Sequence, residues 1–180
     1  LKTDLSTNKV QPKTKDELKE IIKDTFEHKQ YDLNFINTSE ITDMSKLFMN
    51  CKYDFDISDW DVSNVTDMNH MFYDCDNFNC DLSKWNVSKV VNMFSTFSSC
   101  KKFEGKGLEN WDVSAVTDMH YMFYECENFN CDLSNWDVSN VTNMWHLFDG
   151  CKKLDCDLSD WKVYKVTDMS YMFNNCEQFN

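Results

Sequence analysis

Cysteine, histidine and aspartate are the residue types here that could carry chemistry, and each recurs at a spacing that limits what that chemistry can be. Six of the nine cysteines, Cys51, Cys75, Cys100, Cys126, Cys151 and Cys176, follow one another about every 25 residues, and Cys80, Cys131 and Cys156 form a second, sparser column. Equivalent residues on neighbouring repeats would lie about 4.8 Å apart by strand spacing, so a stacked pair such as Cys131 and Cys156 could oxidise. The odd total argues against a complete disulfide framework. No C-x-x-C pair or properly spaced histidine offers a zinc site. The first column sits among apolar residues, where a thiol behaves as a small buried hydrophobe. Free, poorly reactive thiols are therefore the expectation.

Aspartate forms two ladders. Asp32, Asp56, Asp81, Asp132 and Asp157 make one, interrupted by Gly107, and Asp61, Asp112 and Asp137 make another with Asn86 and Lys162. Stacked like charges repel, and a bound cation would relieve them. Calcium-binding repeats, however, use glycine-rich turns, and this chain has three glycines in all, so turn-forming aspartate is expected and no metal or other cofactor. His70 and His146 share a repeat position with Lys46, Ser95, Tyr121 and Tyr171. With no Ser-His-Asp order and no phosphate-cradling glycine loop beside them, an enzyme is not expected. Instead His70, Tyr73, Tyr121, Tyr124, Trp145, His146 and Tyr171 make an outward-facing aromatic stripe, a usual feature of interfaces.

The elements that position these residues follow from the repeat. Trp60, Trp85, Trp111, Trp136 and Trp161 are 25, 26, 25 and 25 residues apart, and Met44, Met68, Met93, Met119, Met144 and Met169 give the same ladder. With Cys75, Cys126 and Cys151 they form the predicted core. Val116, Met119, Phe123 and Cys126 recur as on one face of a short helix, with Thr117 as its N-cap and Asp118 complementing its dipole. Phe129, Cys131 and Leu133 then alternate with Asn130, Asp132 and Ser134, as in a half-buried strand. The expected fold is thus an α/β solenoid, each coil a short strand plus a short helix stacked on the next. The third repeat is one residue longer, over Phe103–Leu108, and should carry a loop adjustment or a bulge.

Two parts are expected. Residues 1–31 hold a polar leader, disordered over 1–13, and an amphipathic capping helix, opened by the capping box Thr14-Lys15-Asp16-Glu17 and buried along Leu18, Ile21, Ile22 and Phe26. Residues 32–180 are the repeat array of about six coils, the last incomplete. Phe179-Asn180 matches Phe129-Asn130, which leads into Cys131-Asp132-Leu133-Ser134. The native protein is expected to continue beyond it, and this open end to self-associate end to end. With 31 acidic and 18 basic residues the net charge is −13, which excludes nucleic acid as a partner. No apolar run is long enough to span a bilayer.

The runs Asp118-Met119-His120-Tyr121-Met122-Phe123-Tyr124-Glu125-Cys126 and Asp132-Leu133-Ser134-Asn135-Trp136-Asp137-Val138-Ser139 resemble the BspA-like bacterial surface-protein repeat, abundant in mycoplasmas. The resemblance covers Asp32 to Asn180 and extends to the leader Lys13-Thr14-Lys15-Asp16-Glu17-Leu18. It implies a right-handed coil related to leucine-rich repeats, exposure at the cell surface, and adhesion to a host or matrix protein or glycan. An antigenically variable spacer without a specific ligand is the alternative. The resemblance supplies no binding residues.

Overall fold

The computed structural model describes residues 2–4 and 9–179. β1 (Lys2–Asp4) pairs antiparallel with β2 (Lys9–Gln11). The Val10 N–H donates to the Phe35 carbonyl and the Val10 carbonyl accepts from the Asn37 N–H, so β2 lies parallel to the chain at Ile36. The expectation of a disordered leader over 1–13 is corrected at these residues, because the leader finds backbone partners on the first repeat. Residues 1 and 5–8, on which part of that expectation falls, lie outside the described residues, as does Asn180.

α1 (Lys15–Glu27) is opened by Thr14, whose side chain accepts from the Glu17 N–H at 3.2 Å, while the Glu17 carboxylate accepts from the Lys13 N–H at 2.7 Å. Two N–H groups at the helix start are thereby satisfied. Leu18, Ile21 and Ile22 are buried, and Phe26 packs against Phe48 and Phe55. The apolar side of α1 thus packs against the first repeat.

From residue 32 onward each repeat unit stacks on the next. Parallel bridges join Asp43, Asp67, Asn92, Asp118, Asn143 and Asp168 in succession. At each junction four backbone bonds run in register: Met119, Tyr121, Phe123 and Glu125 donate to the carbonyls of Asn143, Trp145, Leu147 and Asp149, and equivalent residues do so in the other units. Phe48, Phe72, Phe97, Phe123, Phe148 and Phe173 stack through the core with centroids 5.2–5.8 Å apart. Each of the five ladder tryptophans sits over the unit before it and donates its indole N–H to that unit, as Trp136 does to the Leu108 carbonyl at 2.8 Å. A buried N–H without such a partner would be costly, so this one bond lets the large ring be buried repeatedly.

The expected short helix in each unit is corrected by the structure. Over Met119–Cys126 the chain makes two successive turns, closed by Met122 N–H to Met119 O and Cys126 N–H to Phe123 O. The third residue of each has positive φ, Tyr121 at 56° and Glu125 at 53°. A helix would send each N–H to the fourth carbonyl back, but here alternate N–H groups serve the next unit. Eight residues are too few for a stable isolated helix, and pairing between units supplies the missing partners. Thr117 is accordingly no helix cap: its N–H and hydroxyl both reach the Val91 carbonyl of the preceding unit, at 3.0 and 3.4 Å. Nor does Asp118 face a helix dipole, since its carboxylate accepts the N–H of His120 two residues on.

No regular strand forms over 129–134 either, although the burial alternates as expected, with Phe129, Cys131 and Leu133 buried. Asp132 turns the chain by accepting the Ser134 N–H at 3.0 Å, and Leu133 O then accepts the Trp136 N–H. The other ladder residues Asp56, Asp81, Asp157, Asp61, Asp112 and Asp137 each accept from the serine two residues on. Turn-forming is thus the aspartates' role in the fold. In the longer third unit Gly107 has φ 95°, and a Cβ there would lie 2.2 Å from the Ser83 nitrogen. A short 3-10 turn, Leu108–Asn110, takes up the extra residue.

The outer side of the sixth unit is open. Met169, Phe173 and Tyr171 are exposed there, whereas their counterparts Met144 and Phe148 are fully buried.

Candidate functional site

The paired turns present the aromatic stripe. In the fourth unit Met119, Met122, Phe123 and Cys126 are buried, so the corner residues His120, Tyr121, Tyr124 and Glu125 are left on the outer side. The same corners recur in the other units, and their rings touch across the junctions. His70 lies 5.5 Å from Tyr73 and 4.4 Å from Phe94. Phe94 stacks on His120 at 3.8 Å and reaches Tyr121 at 6.5 Å. Tyr121 contacts Tyr124, Trp145 and His146 at 5.2, 4.9 and 4.8 Å, and His146 stacks on Tyr171 at 4.8 Å with planes 10° apart. All seven sequence-predicted stripe residues therefore join one continuous surface over five units. They are half-buried except Tyr171, which is 62% exposed.

Phe94 and His120 belong to the stripe and were missed by sequence reasoning. They share the column of Trp145, one residue before that of His70 and Tyr121. On a helix, adjacent positions point about 100° apart, and from this column only Trp145 was drawn into the predicted stripe. In a tight turn both are corner residues and lie side by side.

Polar groups fix part of this surface. His146 Nδ1 lies 2.6 Å from Asp149, a carboxylate only 5% exposed whose other oxygen accepts from the Asn174 and Asn175 amides at 2.9 and 3.3 Å. His120 Nδ1 contacts the Asp118 carboxylate. Burial pushes the His70 imidazole below its usual pKa, and nearby Lys46 and His120 add to this. Burial and the neighbouring Glu125 raise that of the Tyr124 phenol.

The cysteines serve packing. Cys75, Cys100, Cys126, Cys151 and Cys176 each place Sγ 2.9–3.0 Å from the carbonyl of the phenylalanine in the preceding unit. All nine are free thiols, and among the described residues no cluster of three His, Cys, Asp or Glu side chains could hold a metal ion.

A family model described as "Mycoplasma protein of unknown function, DUF285" matches residues 16–107 and again residues 95–180. The chain belongs to this family. Two matches in tandem agree with the repeats read from the sequence, and the second runs through the best-kept units. No curated protein matches the chain. No solved structure matches it either.

Proposed function

We propose that this member of the family is a non-enzymatic recognition protein of the BspA-like kind. It would act as a right-handed solenoid at the bacterial surface, holding a host or matrix protein or glycan on its aromatic stripe. One observation carries the reading: the ring contacts run unbroken from His70 to Tyr171 across five units. Aromatic side chains placed together on a rigid frame are enriched at interfaces because they bury large area at little entropic cost. The alternative, a spacer without a ligand, would use these corner rings only for their stacking between units.

The test is Tyr121→Ser together with Tyr171→Ser. Ser95 occupies the same column at φ 57°, so the backbone accepts serine there. The double variant should attach more weakly to host cells or matrix while melting like the parent. Unchanged attachment by the folded variant would overturn the reading in favour of the spacer.

A further inference from the structure

Charge separates the stripe from the rest of the surface. The turn segments 67–75, 92–100, 118–126, 143–151 and 168–176 hold Asp67, Asp74, Asp118, Glu125, Asp149 and Asp168, and no lysine; the chain has no arginine at all. Elsewhere lysines are interspersed and some acids meet them, Asp59 with Lys84, Asp81 with Lys106, Asp76 with Lys52 and Lys101, and Glu127 with Lys152, while others such as Asp61 and Asp137 make no ion pair among the described residues. On the stripe Asp74 alone is paired in this way, with Lys52. Asp118 and Asp149 contact histidines, and among the described residues Asp67, Glu125 and Asp168 make no ion pair.

We infer that the stripe takes a cationic polypeptide segment, whose arginine or lysine side chains lie over the rings and reach the carboxylates beside them. This rests on the recognition role proposed above and names its partner class. A guanidinium or ammonium group is attracted to the face of tyrosine or tryptophan, and the attraction strengthens where water is partly excluded. Half-buried rings bordered by carboxylates supply both terms for one ligand group, and arginine also stacks flat on the ring. The depressed His70 pKa keeps that imidazole neutral near pH 7, so it does not oppose a cation. A neutral glycan would make no use of the missing lysines.

The full chain is titrated against a fluorescent nona-arginine peptide and against nona-citrulline, which keeps the shape without the charge. Three double variants are compared. Tyr121→Ser with Tyr171→Ser removes rings. Asp67→Asn with Asp168→Asn removes two stripe charges in a column where Asn92 and Asn143 already stand. Asp61→Asn with Asp137→Asn removes two charges away from the stripe, in a column where Asn86 already makes the same turn. The first two variants should each weaken nona-arginine binding about tenfold, the third less than about twofold, and nona-citrulline should not bind. Equal loss in the second and third variants would reduce the effect to general attraction by an acidic protein and overturn the inference. So would an unchanged affinity in the first. If the ring variant loses attachment to host cells but keeps nona-arginine binding, the recognition role stands and the cationic partner falls.

Discussion

Truncating Trp111 tests whether the stacked core is held as the structure shows. Its indole is 4% exposed, lies parallel to Trp85 at 6.2 Å and near Phe97 at 6.1 Å, and donates Nε1–H to the Leu82 carbonyl at 3.3 Å. Replacement of a buried tryptophan by alanine costs about 3–5 kcal/mol for lost contacts and the cavity left behind. The Leu82 carbonyl keeps the Trp85 N–H at 3.1 Å, so losing the indole donor adds only about 0.5–1.5 kcal/mol. The cavity dominates, so Trp111→Ala should cost about 4–5 kcal/mol. Trp111→Phe keeps an aromatic ring and loses the donor, and should cost about 1–3 kcal/mol. Urea unfolding followed by circular dichroism gives both values, with an unchanged slope on denaturant showing that the same surface is exposed. An alanine variant costing less than about 1 kcal/mol would behave as an ordinary surface substitution and refute the stacked core.

Two further outcomes concern titration. Burial pushes the core thiols up, Cys75 to about 12, so thiol reagents at mild alkaline pH should react slowly with the native chain. After denaturation without reductant all nine should react, and recovery of fewer would mean that a stacked pair had bridged. Stability against pH should be a plateau with two falling flanks. Asp132, Asp157 and Asp168 are held below the usual 3.8 chiefly by the N–H groups of the serines two residues on, and Asp81 at about 2 chiefly by Lys106. Their contribution is complete above 3.8 and is lost as pH falls toward 2, because the unfolded chain takes up protons first. The buried thiols contribute below 9.0 and lose that contribution as pH rises toward 12. Thermal melts across pH 2–11 test this, and a chain most stable at pH 3 would contradict it.

The faces of the repeat were legible in the sequence and its elements were not. Burial at Met119, Met122, Phe123 and Cys126 follows the spacing 0, 3, 4 and 7, which a helix and a pair of consecutive tight turns both produce. Periodicity therefore identifies the buried side without choosing between them. The choice is made by hydrogen bonds to the neighbouring unit, a tertiary effect that no window of one repeat contains. The same holds for the aspartates. Their type, in a chain with three glycines, pointed to turns, and the N–H they accept belongs to the same short segment. The threonines were misjudged for the opposite reason, since the carbonyl that Thr117 and Thr142 reach lies a full repeat away.

The two positive-φ columns carry the argument about the stripe one step further. The second column is filled by Asn50, Asp74, Ser99, Glu125, Gly150 and Asn175, mostly residues that enter the left-handed region readily. The first is filled by Lys46, His70, Ser95, Tyr121, His146 and Tyr171, all with φ of 52–58°. The backbone demand is the same in both, and a bulky side chain meets it at a cost of about 1–2 kcal/mol per residue. If backbone geometry alone chose the residues, asparagine and glycine would serve the first column as they serve the second. Tyrosine stands there against that preference, at the corners where its ring meets those of the next unit. What compensates within the fold is the stacking of Tyr121 on His146 and of His146 on Tyr171. The rings of the stripe therefore also tie one unit to the next, so the same side chains build the surface and the junctions beneath it.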